Sequence, residues 1–286
     1  MRRPRILIQL DCDPQTSVFD SVVAADSGVE HLFRHRDVTP DQVERLVHGA
    51  MFTRGPQDLH STAIFVGGSK VAVAEQLLDA VMKTFFGPLR VSVMLDPNGA
   101  NTTAAAAVIA AGRHADLRAA EALVLGATGP VGQRAARLLA GEGAHVRLAS
   151  RSKERAAQAC GRIRERHPKA RLTPVDLEEA VASLPTCGVL ISAGAAGVEM
   201  LHEDSMERSS LQVAIDLNAL PPVGLASVDV MDRGTERHSG IHCYGAIGVG
   251  GDKMKIHKAA IASLFESNSL VLDAEEIYEF GKKLLH

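Results

Sequence analysis

Short apolar segments alternate with amphipathic helical segments along the whole chain, and this alternation constrains the fold more than any other feature. Runs such as Ile6–Leu10, Thr62–Val66 and Val91–Leu95 have the length and composition of buried strands. Between them lie segments of helical periodicity, for example Val71–Phe85. Because strands joined through helices pair in parallel, the sequence predicts an α/β protein built on parallel sheets.

A change in composition near residues 112–120 divides the chain. Before it, Thr102–Ala111 consists almost entirely of alanine and predicts a closely packed helix; after it, a second series of strands and helices begins at Glu121. The chain has 286 residues, which is enough for two domains at about 150 residues each. We therefore expect one α/β domain over residues 1–115 and a second that begins at residue 116.

Composition excludes several classes of function. The net charge is −3, aromatic residues make up 3% of the chain and tryptophan is absent, which argues against a nucleic acid partner. No apolar run is long enough to span a membrane, and the basic start, Met1–Arg5, lacks the features of a signal peptide. The four cysteines are far apart and form no metal-binding spacing. We expect a cytoplasmic protein without a membrane partner or a metal.

A glycine-rich turn follows the strand Ala122–Leu125 and precedes a helix, with glycines three residues apart. Such glycines permit a tight turn and a close approach of a pyrophosphate to the helix N-terminus, as in dinucleotide-binding Rossmann folds. A purely structural strand–helix turn is the alternative. The residues expected to contact the dinucleotide here are Gly126, Thr128, Gly129, Pro130, Val131 and Gly132.

The end of the next strand discriminates between the two nicotinamide cofactors. NAD sites usually carry an acidic residue there for the ribose hydroxyl, whereas this chain has Ser150, Arg151 and Ser152, with Arg155 one turn further on. An arginine pairs with a 2′-phosphate and serines donate hydrogen bonds to it. We therefore expect NADP, with NAD bound at lower affinity. The alternative is a solvated basic loop in which Ser152 caps a helix.

Two further strand ends are candidates for the nicotinamide side of the cofactor. Ser192, Ala193 and Gly194 follow one strand, where small side chains let a ligand lie against the backbone. Asn218 follows another strand and precedes two prolines. Close helix packing and an Asn-initiated turn are the respective alternatives.

The chain resembles the NAD(P)-dependent methylene-tetrahydromethanopterin dehydrogenases of methylotrophic bacteria, including the member that also accepts tetrahydrofolate. The resemblance is collinear and covers nearly the whole sequence. It rests on stretches such as Thr53–Gly55, Ser61–Gly68, Phe85–Pro88, Met94–Thr103, Gly129–Gly132, Leu138–Ala144, Asn218–Pro222, Gly248–Gly251 and Leu264–Ser267.

The resemblance implies a reversible hydride transfer in one-carbon metabolism, from methylene-tetrahydromethanopterin to NADP, which yields the methenyl form. It implies a tetrahydromethanopterin derivative as co-substrate and a homo-oligomer, a trimer or hexamer. It also completes the domain organisation: residues 1–115 form the pterin domain, joined by C-terminal helices over 253–286 that pack back on it, and residues 116–252 form the Rossmann-type NADP-binding domain. The pterin pocket would lie between the two domains.

Substrate and catalytic residues follow only from the resemblance, because each has an ordinary structural alternative. The turn at Asp96 is by itself a common β-turn, and the polar residues after it are common helix caps. Lys253 and Lys255 project about 160° apart on a helix, so at most one faces a pocket, and we select Lys253 as the catalytic residue. The residues expected to bind the pterin are Phe19, Asp20, Ser61, Asp96, Asn98, Gly99, Asn101 and Thr102.

Three other functions compete with this interpretation. The first is methylene-tetrahydrofolate dehydrogenase activity. The second is a shikimate-type dehydrogenase, which needs a Lys–Asp pair that Lys70 and Lys83 do not supply in a matching motif. The third is an NADP sensor without turnover, which would not need the polar residues outside the glycine-rich turn.

Overall fold

The computed structural model describes residues 2–206, 209–237 and 240–285. The chain divides into two compact units. Unit 1 comprises the residues up to Thr102 together with Met254–Leu284, and unit 2 comprises Thr103–Lys253. Residues 103–115 thus belong to unit 2, whereas the sequence analysis assigned them to the first domain. The border falls inside a continuous helix, and a continuous helix carries no local signal of a border.

Strands and helices alternate along the described residues, as the apolar pattern predicts. In chain order the strands are β1 (Ile6–Asp11), β2 (His31–His35), β3 (Thr62–Gly67), β4 (Ser92–Leu95), β5 (Glu121–Leu125), β6 (His145–Ala149), β7 (Arg171–Val175), β8 (Val189–Ser192), β9 (Val213–Asp216), β10 (Arg233–Arg237), β11 (Ile241–Tyr244) and β12 (Val271–Leu272). The helices are α1 (Val18–Asp26), α2 (Val43–Phe52), α3 (Val71–Thr84), α4 (Ala100–Gly112), α5 (Pro130–Glu142), α6 (Lys153–Arg166), α7 (Leu177–Ser183), α8 (Ala246–Ser263) and α9 (Ala274–Leu285). None of these helices is both long and apolar enough to cross a membrane.

Unit 1 is built on a parallel sheet with the strand order β12-β4-β3-β1-β2 among the described residues. The central strands read as nearly continuous apolar runs because both of their faces are buried. Leu10, Val66 and Leu95 from three neighbouring strands share one core cluster with Leu77 of α3. Strand β12 pairs with β4, so the C-terminal segment returns to the first unit, as expected.

Unit 2 has the strand order β10-β11-β9-β8-β5-β6-β7 among the described residues. All neighbours in it are parallel except β10 and β11, which are antiparallel. The chain proceeds from β5 to β6 and β7 on one side, then returns to β8 and β9 on the other. This reversal makes a topological switch point between β5 and β8, the place where Rossmann-type sheets bind their ligands. The predicted α/β fold with a Rossmann-type parallel sheet is confirmed.

Helix bounds agree with the sequence analysis where the signal is local. Helix α6 begins at Lys153, directly after the cap that the sequence analysis considered, Ser152, whose Oγ accepts from the Arg155 N–H. The prediction for α8 was wrong: the helix begins at Ala246, so Gly248–Gly251 lie inside it rather than before it. A Cβ at Gly248 would lie 1.8 Å from the carbonyl oxygen of Asp232, so this glycine lets the helix approach the preceding loop.

Strand β2 was not predicted. Its sequence, His31–His35, lacks a continuous apolar run, and three of its five residues are exposed. It lies at the edge of the unit 1 sheet and pairs with β1 alone, which explains why it carries so little hydrophobic signal.

Candidate functional site

The glycine-rich turn of unit 2 lies at the switch point between β5 and β8. Gly126 has a φ of +66°, a left-handed conformation that favours glycine. A Cβ there would lie 2.5 Å from the carbonyl oxygen of Ala193, at the end of β8. A Cβ at Gly132 would lie 2.4 Å from the carbonyl oxygen of Gly126. Two of the three glycines are therefore required by the protein itself, for the turn and for packing α5 against it.

Gly129 differs from the other two glycines. Its φ of −79° suits any residue, and a Cβ at this position would have its nearest neighbour 3.3 Å away. It stands at the N-cap of α5, followed by Pro130 and Val131, and no side chain caps this helix among the described residues. A helix N-terminus with open N–H groups attracts an anion. The uncapped start of α5 at Gly129 therefore fits the pyrophosphate of a dinucleotide.

The end of β6 presents cationic and hydroxyl groups to the same edge of the sheet. The Ser150 Oγ lies 3.4 Å from the Thr128 Oγ1 and accepts from the Ser152 N–H. Arg151 and Arg155 are exposed, and their guanidinium groups have no hydrogen bond or ion pair with any residue that the structure describes. The next lysine is different, because Lys153 pairs with Glu179. Two arginines thus remain available to a 2′-phosphate.

The ends of β8 and β9 carry a buried acid. Asp216 accepts the N–H groups of Leu225 and Asn218, and burial raises the pKa of its carboxyl group. A Cβ at Gly224 would lie 2.4 Å from the Ser192 Oγ and 2.7 Å from the Asp216 Oδ1, so this backbone segment closes over both side chains. Gly194 is likewise covered, by the Met200 sulfur 3.0 Å from its Cβ position.

Asn218 holds its own loop together. Its Nδ2 donates to the Pro222 carbonyl oxygen at 3.1 Å, and its Oδ1 accepts the Leu220 N–H at 3.0 Å. Both ends of the amide are engaged, which is the turn that the sequence analysis gave as the alternative to a nicotinamide contact.

Unit 1 has a switch point of its own, between β1 and β3. The chain leaves β1 for β2 on one side and continues with β3 on the other, so Asp11 and Gly67 end neighbouring strands opposite each other. The Asp11 carboxylate accepts from the N–H groups of Asp13 and Ser17, yet burial raises the pKa of this group. A Cβ at Gly67 would contact both the Asp20 and the Asp11 carboxylates, at 3.6 and 3.7 Å. Two acids therefore meet at the carboxyl edge.

A short aromatic row lies beside these acids. His257 on α8 is fully buried, its ring stacks on Phe65 with centroids 5.9 Å apart, and the centroid of the Phe19 ring lies 6.2 Å from that of His257. Phe19 is 52% exposed, so it offers a ring face to a ligand while Phe65 does not. Phe19 and Asp20, two of the residues expected to bind the pterin, are thus brought together on α1.

Asp96, Asn101 and Thr102 form a buried hydrogen-bonded group at the start of α4. The Asp96 Oδ1 accepts the N–H groups of Asn101 and Thr102, and its Oδ2 accepts the Thr102 hydroxyl at 2.7 Å. The Asn101 amide donates to the Leu95 carbonyl oxygen and to the Asp273 carboxylate. These three side chains, all fully buried, are engaged in capping α4 and joining it to the C-terminal segment.

Asn98 and Gly99 occupy the turn before that helix. Both have positive φ values, +53° and +63°. Gly99 is buried, whereas Asn98 is exposed and its amide has no partner among the described residues. Asn98 therefore remains available to a ligand, in contrast to the capping group behind it.

The structure does not bring Ser61 together with the other candidates, and its contact with the pterin stays a prediction. It lies directly before β3, while Asp20, Asp96 and Asn98 lie at the opposite, carboxyl ends of the strands. A strand of six residues separates the two edges by about 16 Å at 3.3 Å per residue. The sequence contained the signal, because a residue that precedes a parallel strand lies at the edge away from those that follow.

Lys253 and Lys255 differ as their helical spacing predicts. Lys253 is 9% exposed, whereas Lys255 is solvent-exposed. Lys253 lies one turn before His257 on the same face of α8. The preceding residue, Asp252, forms an ion pair with Arg113 at 2.7 Å.

Sequence reasoning missed the residues that end β1. Asp11 lies at the switch point, with Gln9 buried next to it and donating to its carboxylate at 3.5 Å. The available signal was their position at the end of the first strand. The sequence analysis used that strand end to select Phe19 and Asp20 instead, because the strand order that brings β1 and β3 together cannot be inferred from either segment alone.

Two family models match the chain. One is described as methylene-tetrahydromethanopterin dehydrogenase, N-terminal, and matches residues 18–98. The other is described as shikimate / quinate 5-dehydrogenase and matches residues 108–230. The first match lies within unit 1 and contains Phe19, Asp20 and Asp96; the second contains the glycine-rich turn.

Curated relatives cover nearly the full length of the chain. A protein of Methylorubrum extorquens strain AM1 named "Bifunctional protein MdtA" is 43% identical over 286 residues, 98% of this chain and 99% of the relative. The NAD(P)-dependent methylenetetrahydromethanopterin dehydrogenase of the same strain is 31% identical over 281 residues, 94% of each chain. Among solved structures, a shikimate 5-dehydrogenase from Mycobacterium fortuitum aligns with a TM-score of 0.55 over 98% of both chains at 16% identity, which is a likeness of fold.

Proposed function

The chain belongs to the methylenetetrahydromethanopterin dehydrogenase family, and on that premise we propose that it oxidises methylene-tetrahydromethanopterin with NADP as the hydride acceptor. It is an oxidoreductase of one-carbon metabolism. The choice of NADP rests on the end of β6. Exposed Arg151 lies there, at the place where NAD sites usually have an acidic residue.

The proposed reaction requires little acid–base catalysis. NADP, when bound, accepts the hydride that leaves the methylene carbon, and a lone pair on the neighbouring pterin nitrogen stabilises the resulting methenyl cation. The transfer moves no proton, so it requires no general base. The protein contributes mainly by holding the two reactants in position and by keeping water away.

Unit 2 would hold the cofactor through its backbone and three side chains. The open N-terminus of α5, at Gly129, suits the pyrophosphate, and Arg151 with Ser150 suits the 2′-phosphate. Ser192, Ala193 and Gly194 line the neighbouring strand end on the nicotinamide side. Gly126 and Gly132 serve the same site indirectly, since they permit the turn that presents Gly129.

Unit 1 would hold the pterin at its carboxyl edge. Pterins carry a row of donors and acceptors along one edge, which carboxylates and amides recognise in pairs. Asp20 and Asn98 are the candidates for direct contact, and the exposed ring of Phe19 suits the flat ring system. An indirect role would fall to the buried group Asp96, Asn101 and Thr102, which fixes the turn that carries Asn98.

The assay that tests this function measures NADP and NAD reduction with methylene-tetrahydromethanopterin and with methylene-tetrahydrofolate. We expect reduction with the first pterin and a preference for NADP. Reduction with methylene-tetrahydrofolate alone would establish the folate alternative instead. Turnover of shikimate or quinate, or NADP binding without turnover of any methylene-pterin, would refute the proposal.

Lys253 is the residue we assign to catalysis. An ammonium group close to the forming cation would oppose the reaction, so we expect it to contact the pterin carbonyl or the segment beyond the ring. Lys253→Ala should lower kcat or raise the KM for the pterin at least tenfold and leave the KM for NADP unchanged, an effect on the order of 1.4 kcal/mol. Lys255→Ala, an exposed neighbour on the same helix, is the matched control. Equal rates for the two variants would remove Lys253 from the site.

The cytoplasm remains our proposal for its location, because all four cysteines are free thiols, as in reducing compartments. The homo-oligomer stays a prediction.

A further inference from the structure

A cationic cavity opens at the carboxyl end of β2. It has a volume of about 620 Å³, and three arginines line it: Arg34, Arg36 and Arg45. Its other polar lining residues are His35, Gln42 and one acid, Asp41. Three positive charges against one negative charge form an unusual surface in a chain whose net charge is −3.

A second cavity, of about 320 Å³, adjoins the first. It shares Arg34 and Arg36 with the larger cavity and extends to Thr16 and Val18, at the start of α1. The two arginines therefore line both cavities, and the smaller one reaches Val18, the residue before Phe19.

The arginines of this surface are available to a ligand. The side chains of Arg34 and Arg45 have no hydrogen bond or ion pair with any of the described residues, and the Arg36 side chain reaches only the Pro14 carbonyl oxygen, at 3.5 Å. Asp41 accepts the Thr39 hydroxyl at 2.6 Å and keeps its negative charge, so the lining holds three arginine charges against one carboxylate. Like charges on one surface repel one another, and a bound anion reduces that repulsion.

The cavity belongs to the same edge of the sheet as the pterin candidates. Leu10 pairs with His35, so the backbone that carries Arg34 and Arg36 runs beside the end of β1, at the spacing of neighbouring strands, about 4.8 Å. The loop after β2 is held there by backbone bonds from Val38 to Asp11 and from Asp37 to Asp13. A ligand that contacts Phe19 and Asp20 can therefore extend into the cavity without leaving unit 1.

We propose that this cavity binds the anionic tail of the pterin substrate, through the phosphate or carboxylate groups at the end away from the reacting ring. The guanidinium fork matches both groups, each of which accepts two parallel N–H bonds. The inference rests on the proposed function. It assigns Arg34 and Arg36 to substrate affinity rather than to the hydride transfer.

The test compares Arg34→Gln, Arg36→Gln and the double variant with the wild-type protein. The KM for methylene-tetrahydromethanopterin should rise roughly fivefold for each single change, since partly solvated charged pairs contribute modestly. The double variant should show a larger increase in the KM for the pterin, while its kcat and its KM for NADP stay within about twofold of the wild-type values. Arg2→Gln is the matched control, because it removes the same charge from an exposed ion pair at the opposite edge of the sheet.

The choice of probe distinguishes a bound carboxylate from a bound phosphate. Methylene-tetrahydrofolate with one and with three glutamates should show a larger effect of the variants for the longer tail. Inorganic phosphate should compete weakly with the substrate in the wild-type protein and not in the double variant. An unchanged KM in the double variant overturns the inference, as does phosphate inhibition that the variants do not alter. Absence of turnover with any methylene-pterin in the wild-type protein would instead refute the proposed function.

Discussion

Helix α5 in unit 2 begins without a side-chain cap, whereas helix α4, which begins at the carboxyl edge of unit 1, is capped by the buried carboxylate of Asp96. Both helices follow a parallel strand at a ligand-binding edge, and both have the same length, 13 residues. An open helix N-terminus leaves its N–H groups for an anion, while a capped one has already used them. Under the proposed function, unit 2 would therefore bind its ligand with backbone groups at the helix start, and unit 1 would bind with side chains around the helix start.

The largest expected effect is on stability, and it distinguishes Gly132 from Gly129 at the uncapped start of α5. Gly132→Ala places a Cβ 2.4 Å from a backbone oxygen, so the turn must move, and we expect a loss of about 3 kcal/mol in the free energy of unfolding. Gly129→Ala meets nothing closer than 3.3 Å and should cost about 0.5 kcal/mol. It should nevertheless weaken NADP binding, because the methyl group occupies the space left for the pyrophosphate.

Urea unfolding and NADP titration of the two variants measure these effects. The comparison requires that Gly129→Ala affect binding more than stability and Gly132→Ala affect both. If Gly129→Ala binds NADP as tightly as the wild-type protein, the open helix is not the pyrophosphate site.

The next effect concerns the capped helix. Asp96→Ala removes three hydrogen bonds from a fully buried group, and we expect a loss of about 3 kcal/mol in the free energy of unfolding. Asn98→Gly is its counterpart: glycine suits the φ of +53°, so stability should change by less than about 0.5 kcal/mol while the KM for the pterin rises. Thermal unfolding and pterin kinetics on both variants decide the matter. A stable Asp96→Ala variant with impaired pterin binding would restore Asp96 to direct contact.

The same contrast explains how far the sequence could be interpreted. The glycine-rich turn is contiguous, so one short stretch contains the strand end, the turn and the helix start, and the structure places this stretch at the switch point between β5 and β8. In unit 1 the corresponding residues come from separate segments. Asp11 was missed because its position beside Gly67 depends on which strands are neighbours. Ser61 was included from the resemblance, although a residue that precedes a parallel strand lies at the edge away from those that follow. A turn at Asp96 and a capping role of Asn101 or Thr102 were weighed from the sequence, but only the complete burial of these three residues favours such roles over ligand contact.

The remaining errors in the predicted secondary structure concern an edge strand, β2, and the start of a long helix, α8. Strand β2 is exposed and pairs on one side only, so its residues needed no apolar pattern. The start of α8 was placed too late because Gly248–Gly251 resemble a turn, and glycine is unfavourable in helices. Close packing against the Asp232 carbonyl oxygen outweighs that preference, and such packing is visible only in three dimensions.

The effect that is smallest in scope is expected from the side chains beside the uncapped start of α5, because it is confined to the choice of cofactor. Arg151→Ala should raise the KM for NADP about 10- to 100-fold, the range for a hydrogen-bonded charged partner, and leave the KM for NAD and the stability unchanged. The fold loses nothing because the Arg151 side chain has no partner among the described residues. Lys169→Ala, which removes an exposed charge from the turn after α6, is the control for a general electrostatic effect. Parallel increases for NADP and NAD would assign Arg151 to a contact that both cofactors share, and the preference for NADP would then need another source. A change confined to NADP would show that unit 2 recognises the cofactor with two separable parts, backbone for the pyrophosphate and a side chain for the 2′-phosphate.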